Sequence, residues 1–231
     1  MIKAIIFDID NTMYSFDRAH KAAMTALGAY VKENFDMKPA EMADLMKKCA
    51  DIVTERTGDN CAALHNRLLR FQCFLEQIDS TEYQKAMEMY HVYWDTILEV
   101  MEPEPGLVPL LSRLKARGIR LGVGSDMTAY IQYKKLEKLG VLKYLDFIVT
   151  SEEAGEEKPT PRFFELCVKK AGCKPEECVF IGDSLKKDVI GPTEYGLEGT
   201  WYCPEDAVSA GYPVIRSFED FMRGEEQERD G

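Results

Sequence analysis

Between Leu107 and Tyr202 short apolar runs take turns with amphipathic stretches, and this alternation constrains the fold of the 231-residue chain more than any other feature. The runs 120–124, 147–149, 179–181 and 199–202 have strand length, and Val214-Ile215 adds a last short one. Helices are predicted over 107–117, closed by Gly118; from a cap at Asp126 or Thr128 to Gly140; behind Thr160-Pro161 to Gly172; and over 186–195. Strand–helix–strand repeats close as right-handed units onto a parallel sheet with helices on both faces. The expected class is α/β, a Rossmann-like three-layer core.

The first strand, Ala4 to Phe7, is separated from that region by a long stretch with no strand signal. Four amphipathic helices are predicted there, over 16–34, 39–57, 61–78 and 81–100, with Thr81 capping the last. In the third, Leu64, Leu68, Phe71 and Leu75 recur at three- and four-residue spacing, an apolar stripe for packing on a neighbour. The expected organisation is a discontinuous α/β core, 1–15 and 101–222, carrying an inserted all-α bundle at 16–100 and a disordered charged tail at 223–231.

A net charge of −11 argues against nucleic acid or an acidic membrane surface as a partner. With no export signal and no apolar stretch of spanning length, the expected location is cytoplasmic. Seven cysteines without a Cys-x-x-Cys pair read as free thiols filling the core.

Four predicted strands end in polar residues. Asp8 and Asp10 follow the first strand two residues apart, so a persisting strand period would place both on one side. Ser125 follows the second run, Lys158 the third and Gly182-Asp183-Ser184 the fourth, with Asp188 five residues beyond Asp183. Read singly, each has a plain structural explanation as a cap, a turn or a solvated charge. Together they converge, because ligands in open parallel sheets bind beyond the carboxyl ends of the strands. Four carboxylates in one pocket repel unless a cation neutralises them. Carboxylates without His or Cys select a hard ion, and few protein ligands plus water favour Mg²⁺ over Ca²⁺. With Lys158 and Ser125 added, the set suits a phosphoryl group.

Asp8-Ile9-Asp10-Asn11-Thr12, Ser125, Lys158-Pro159 and Gly182-Asp183-Ser184 through Asp188 resemble the four ordered motifs of the haloacid dehalogenase-like hydrolases. The helical insertion resembles the α-helical cap of the phosphoglycolate-phosphatase-like branch. The resemblance implies a phosphatase that acts on a small phosphorylated metabolite. Asp8 is then the nucleophile that becomes aspartyl-phosphate and a Mg²⁺ ligand. Asp10 is the general acid and base, with its backbone carbonyl on the metal and a raised pKa. Ser125 and Lys158 hold the phosphoryl group, Asp183 ligates Mg²⁺, and Asp188 supports the metal site. Dehalogenases of this fold lack the second acid, so Asp10 argues against that activity. A phosphomutase shares every one of these motifs, and a non-catalytic binding module is the remaining alternative. Tyr14 and Phe16 are expected at the substrate entrance, and Arg67 and Arg70 within reach of a second anionic group. Asp126 stands where many relatives carry asparagine; it adds a carboxylate near the phosphate unless it caps the next helix.

Overall fold

The computed structural model describes residues 1–204, 211–219 and 221; the tail expected at 223–231 lies outside them. Two compact units form, one from Met1–Ser15 with the described residues from Glu102 onward, the other from Phe16–Met101.

In the first unit six strands make one sheet among the described residues: β1 (Ala4–Phe7), β2 (Arg120–Ser125), β3 (Phe147–Thr150), β4 (Cys178–Gly182), β5 (Glu198–Tyr202) and β6 (Val214–Ile215). Their order is β3-β2-β1-β4-β5-β6, and every pairing is parallel. The chain runs outward from β1 through β2 to β3, then crosses back to lay β4 on the other side of β1. The topological switch therefore falls between β1 and β4, where a crevice opens beyond their carboxyl ends.

The strands are apolar because both faces are covered: all four residues of β1 are buried. On one face Ile6, Phe147 and Phe180 meet Phe163, Phe164 and Cys167 of a helix over Pro161–Ala171. Phe164 stands edge-on to Phe180, ring centroids 5.7 Å apart. Burying each such ring contributes roughly 1.5–3 kcal/mol. That packing fixes the level at which the strand ends emerge.

The other unit holds four helices among the described residues: α1 (Phe16–Phe35), α2 (Pro39–Thr57), α3 (Arg67–Gln77) and α4 (Gln84–Val100). Two sequence expectations fail here. The third helix is not continuous from 61, because a 3₁₀ turn over Ala62–His65 ends at Asn66. The Asn66 side chain accepts from Leu68 N–H at 3.0 Å, so its amide wins a cap at the expense of a longer helix. Thr81 does not cap the fourth; the N-cap is Tyr83, which makes no side-chain cap bond. In the α/β unit the expected helix over 186–195 splits into a π-helical turn, Leu185–Ile190, and a short α-helix, Gly191–Tyr195.

Candidate active site

The loop after β1 is built by its own backbone. Asp8 N–H extends the ladder one residue by donating to Ile181 O at 2.8 Å. The chain then turns, with Met13 N–H donating to Ile9 O at 2.9 Å and Asn11 at a positive φ of 56°. Asparagine is one of the few residues that takes this conformation at low cost. Strand geometry thus ends at Asp8, and the turn, not a continued pleat, directs Asp10.

Asp8, Asp183 and Asp188 bring carboxylate oxygens within 4.8 Å of one another. Gly182 makes the approach possible: a Cβ there would lie 2.4 Å from Asp188 Cγ. The π-helical turn carries Asp188 into this place, where Oδ2 accepts from Ser184 N–H at 3.0 Å. Lys158 reaches the cluster from the loop after β3. Its Nζ donates to Asp8 Oδ1 at 2.8 Å, Asp188 Oδ1 at 2.7 Å and Gly124 O at 3.1 Å. Burial opposes the Lys158 charge, but Asp188 and Asp8 hold its pKa well above the usual lysine value. One ammonium does not balance the acids. Burial pushes Asp8 up to about 8 against the pull of Lys158, with Asp188 and Asp183 adding repulsion. Asp183, pushed by burial and then by Asp188, rises to about 6. The donor set fits a hard divalent cation: oxygen only, anionic, and in excess of the one fixed positive charge.

Asp10 has a separate environment. Lys135, with no exposed surface, donates to both its carboxylate oxygens at 2.7 and 2.9 Å. Tyr14 donates to Oδ1 at 2.5 Å and Gln132 Nε2 lies 3.4 Å from Oδ2. Burial alone would raise the Asp10 pKa, yet the charge and hydrogen bond of Lys135, with Tyr14 and Gln132, hold it below the usual carboxylate range. This reverses the raised value expected from sequence. Tyr14 is fully buried in this clamp and does not line an entrance. Phe16, the first residue of α1, stacks on His20 within the helical unit at 5.4 Å.

Ser125 ends β2 almost fully buried and accepts from Gln132 Nε2 at 2.9 Å. Asp126 is no helix cap: its Oδ1 accepts from Lys158 N–H at 2.9 Å and its Oδ2 from Lys187 Nζ at 2.8 Å. Its charge is spent on anchoring the Lys158 loop. The helix that follows, Ala129–Lys138, instead takes its cap bond from Glu152, which accepts from Ala129 N–H at 2.8 Å. Lys135 and Gln132 did leave a trace in the sequence. They sit three apart, between Ile131 and Leu136, on the buried stripe of that helix.

A family model of haloacid dehalogenase-like hydrolases matches residues 2–195, which span both units and every residue of this crevice. The chain belongs to that family. A ribulose-1,5-bisphosphate 5-phosphatase from Halopiger xanaduensis is 32% identical over 212 residues, covering 91% of this chain and 88% of that protein. A glyceraldehyde 3-phosphate phosphatase from Methanopyrus kandleri is 33% identical over 199 residues, covering 85% and 82%. Among solved structures, a 2-haloacid dehalogenase from Pseudomonas syringae superposes on this hydrolase with a TM-score of 0.75 at 23% identity, over 98% and 99% of the two chains. That last likeness concerns the fold alone, and the chemistry of this hydrolase has to be read from its side chains.

Proposed function

We propose that this hydrolase is a Mg²⁺-dependent phosphatase that releases phosphate from a small phosphorylated metabolite through an aspartyl-phosphate on Asp8. The observation that carries this reading is the second acid. Asp10 stands two residues from Asp8 and is ionised by a lysine of its own, Lys135, apart from the cluster around Lys158. Halide displacement from a haloacid has no use for such a group, whereas transfer to and from a carboxylate needs a proton carrier for the leaving alcohol and then for water. The two phosphatases of similar sequence support the same choice.

In the proposed cycle one oxygen of Asp8 bonds to phosphorus as the ester P–O bond to the leaving group breaks. Asp10 gives its proton to the departing oxygen. A water molecule then attacks the acyl-phosphate and passes its proton to Asp10, which frees inorganic phosphate and restores Asp8. Ser125 and Lys158 orient the phosphoryl oxygens, and Asp188 keeps Lys158 in position. Asp8, Asp183 and the Asp10 carbonyl would hold Mg²⁺, with Asp188 in support. When bound, the ion supplies positive charge that keeps Asp8 ionised and offsets charge on the phosphoryl oxygens. Asp10 is ready as a base in the described state; to act as an acid it must take up a proton against Lys135.

Two measurements follow. Phosphate release from a panel of phosphorylated sugars should vanish in excess EDTA and return with Mg²⁺ but poorly with Ca²⁺, whose looser coordination misplaces the nucleophile. Full activity in chelator would remove the metal from the scheme. Lys135→Met should raise the Asp10 pKa, moving the acid limb of the pH–rate profile for p-nitrophenyl phosphate towards neutrality. Turnover should fall by roughly 10- to 100-fold, less than the roughly 10²- to 10⁴-fold worth of a positioned acid–base group, because the Asp10 carboxyl itself remains. An unmoved acid limb would show that Lys135 does not control Asp10.

A further inference from the structure

The helical unit carries a cavity of about 210 Å³ that opens to solvent, with His20 from α1, Lys47 from α2, Arg67 and Arg70 from α3 and Tyr93 from α4 among its walls. The break at Asn66 creates this arrangement, since it starts α3 at Arg67 and puts both arginines on its first turn. Arg67 lies over the Tyr93 ring, 5.1 Å from the centroid. Tyr93 is tied in turn to His20 by a hydrogen bond of 2.7 Å between its hydroxyl and Nδ1. One nitrogen of Arg70 donates to Leu64 O, which fixes the guanidinium against the 3₁₀ turn. Both side chains are held in place.

Their hydrogen-bonding capacity is not used up. Arg67 Nη1 and Arg70 Nε are sealed from solvent and have no acceptor. Leaving a buried donor unsatisfied costs about 1–3 kcal/mol, and more when it is charged. The charges are also uncompensated. Among the described residues no carboxylate forms an ion pair with Arg67, Arg70 or Lys47, although Asp51 acts on Arg70 and Asp17 on His20 from a distance. Burial, and then Arg67, push Arg70 down to about 10, and burial with Arg67 also lowers His20. In a chain of net charge −11 this concentration of positive charge stands against the overall field.

We propose that the cavity is a binding site for a free oxyanion such as phosphate, sulfate or a carboxylate. Arginine forks on a carboxylate or phosphate form the charge-assisted bonds that would satisfy both orphan donors.

The test uses sulfate alone, with the full-length protein in EDTA. Thermal unfolding is followed in sodium sulfate and in sodium chloride at equal ionic strength. Sulfate stabilises proteins generally, so the readout is the excess over the Arg67→Gln/Arg70→Gln double variant. The expected result is a larger sulfate shift for the native protein and for a Lys32→Gln surface control than for the double variant. Equal shifts in all three would overturn the proposal and leave the arginines a packing role.

Discussion

Asp8→Asn is expected to abolish both phosphate release and covalent phosphorylation. The amide has no anionic oxygen to attack phosphorus and is a poor ligand for a hard cation. It also removes the acceptor charge for one of the hydrogen bonds of Lys158, made at 2.8 Å. Asp10→Asn should behave differently. The backbone carbonyl remains, and an activated aryl ester needs little help in leaving, so some phosphoenzyme should still form. Its breakdown should slow by roughly a hundredfold or more, because the base for the attacking water is gone. The structure adds a condition on this comparison, since Asp10→Asn leaves the fully buried Lys135 ammonium without its carboxylate. Retained near-ultraviolet circular dichroism should therefore accompany the kinetics. Intact-mass measurement after rapid acid quench reads the outcome directly. An acyl-phosphate on Asp8→Asn would transfer the nucleophile role to another residue.

Lys158→Met carries the largest expected effect on stability. Its ammonium is the shared partner of Asp8 and Asp188, and all three side chains are nearly inaccessible to solvent. Breaking a buried pair by removing one partner leaves an uncompensated charge and typically costs about 3–5 kcal/mol. The loss should depend on pH in a defined sense. Asp8 already sits near 8 in the native chain, and without Lys158 the favourable pull on it is gone, so its folded pKa moves further above the unfolded value. A carboxyl whose folded pKa is raised destabilises as pH climbs through the interval between the two values. Urea unfolding in EDTA should show a smaller deficit at pH 5, where Asp8 is neutral in the fold, than at pH 8. A deficit equal at both pH values would mean that lost packing, not lost charge, is responsible. Phosphate release should be lost as well, since no other lysine nitrogen donates to Asp8 among the described residues.

The α/β unit was legible in the sequence because its signals are local. The strand at Ala4–Phe7 and the run of alternating strands and helices follow from periodicity and from Gly and Pro punctuation. The convergence of Asp8, Ser125, Lys158 and Asp183 follows once a parallel sheet is inferred, because three sit at the carboxyl ends of their strands and Lys158 in the loop that follows β3. Elements failed where two local signals compete. Asn66 lies inside an apolar stripe that favours a continuous helix, and its side chain ends the 3₁₀ turn and starts a new helix instead.

The order of the motifs and the end of the sheet at which they gather can be read along the chain, whereas the electrostatic state of each group depends on contacts between distant segments. Lys135 is 125 residues from Asp10, and no spacing rule joins them, yet this pair turns an expected raised pKa into a lowered one. Asp126 reads as a helix cap or a stray charge until Lys187, 61 residues on, is placed against it. Arg67 and Arg70, expected within reach of a second anionic group, each have one nitrogen sealed from water with no acceptor, which no spacing in the chain announces. The reason is common to all three. The sign and size of a charge effect depend on distance through space and on how much water has been excluded, and neither quantity is carried by neighbouring residues in the chain.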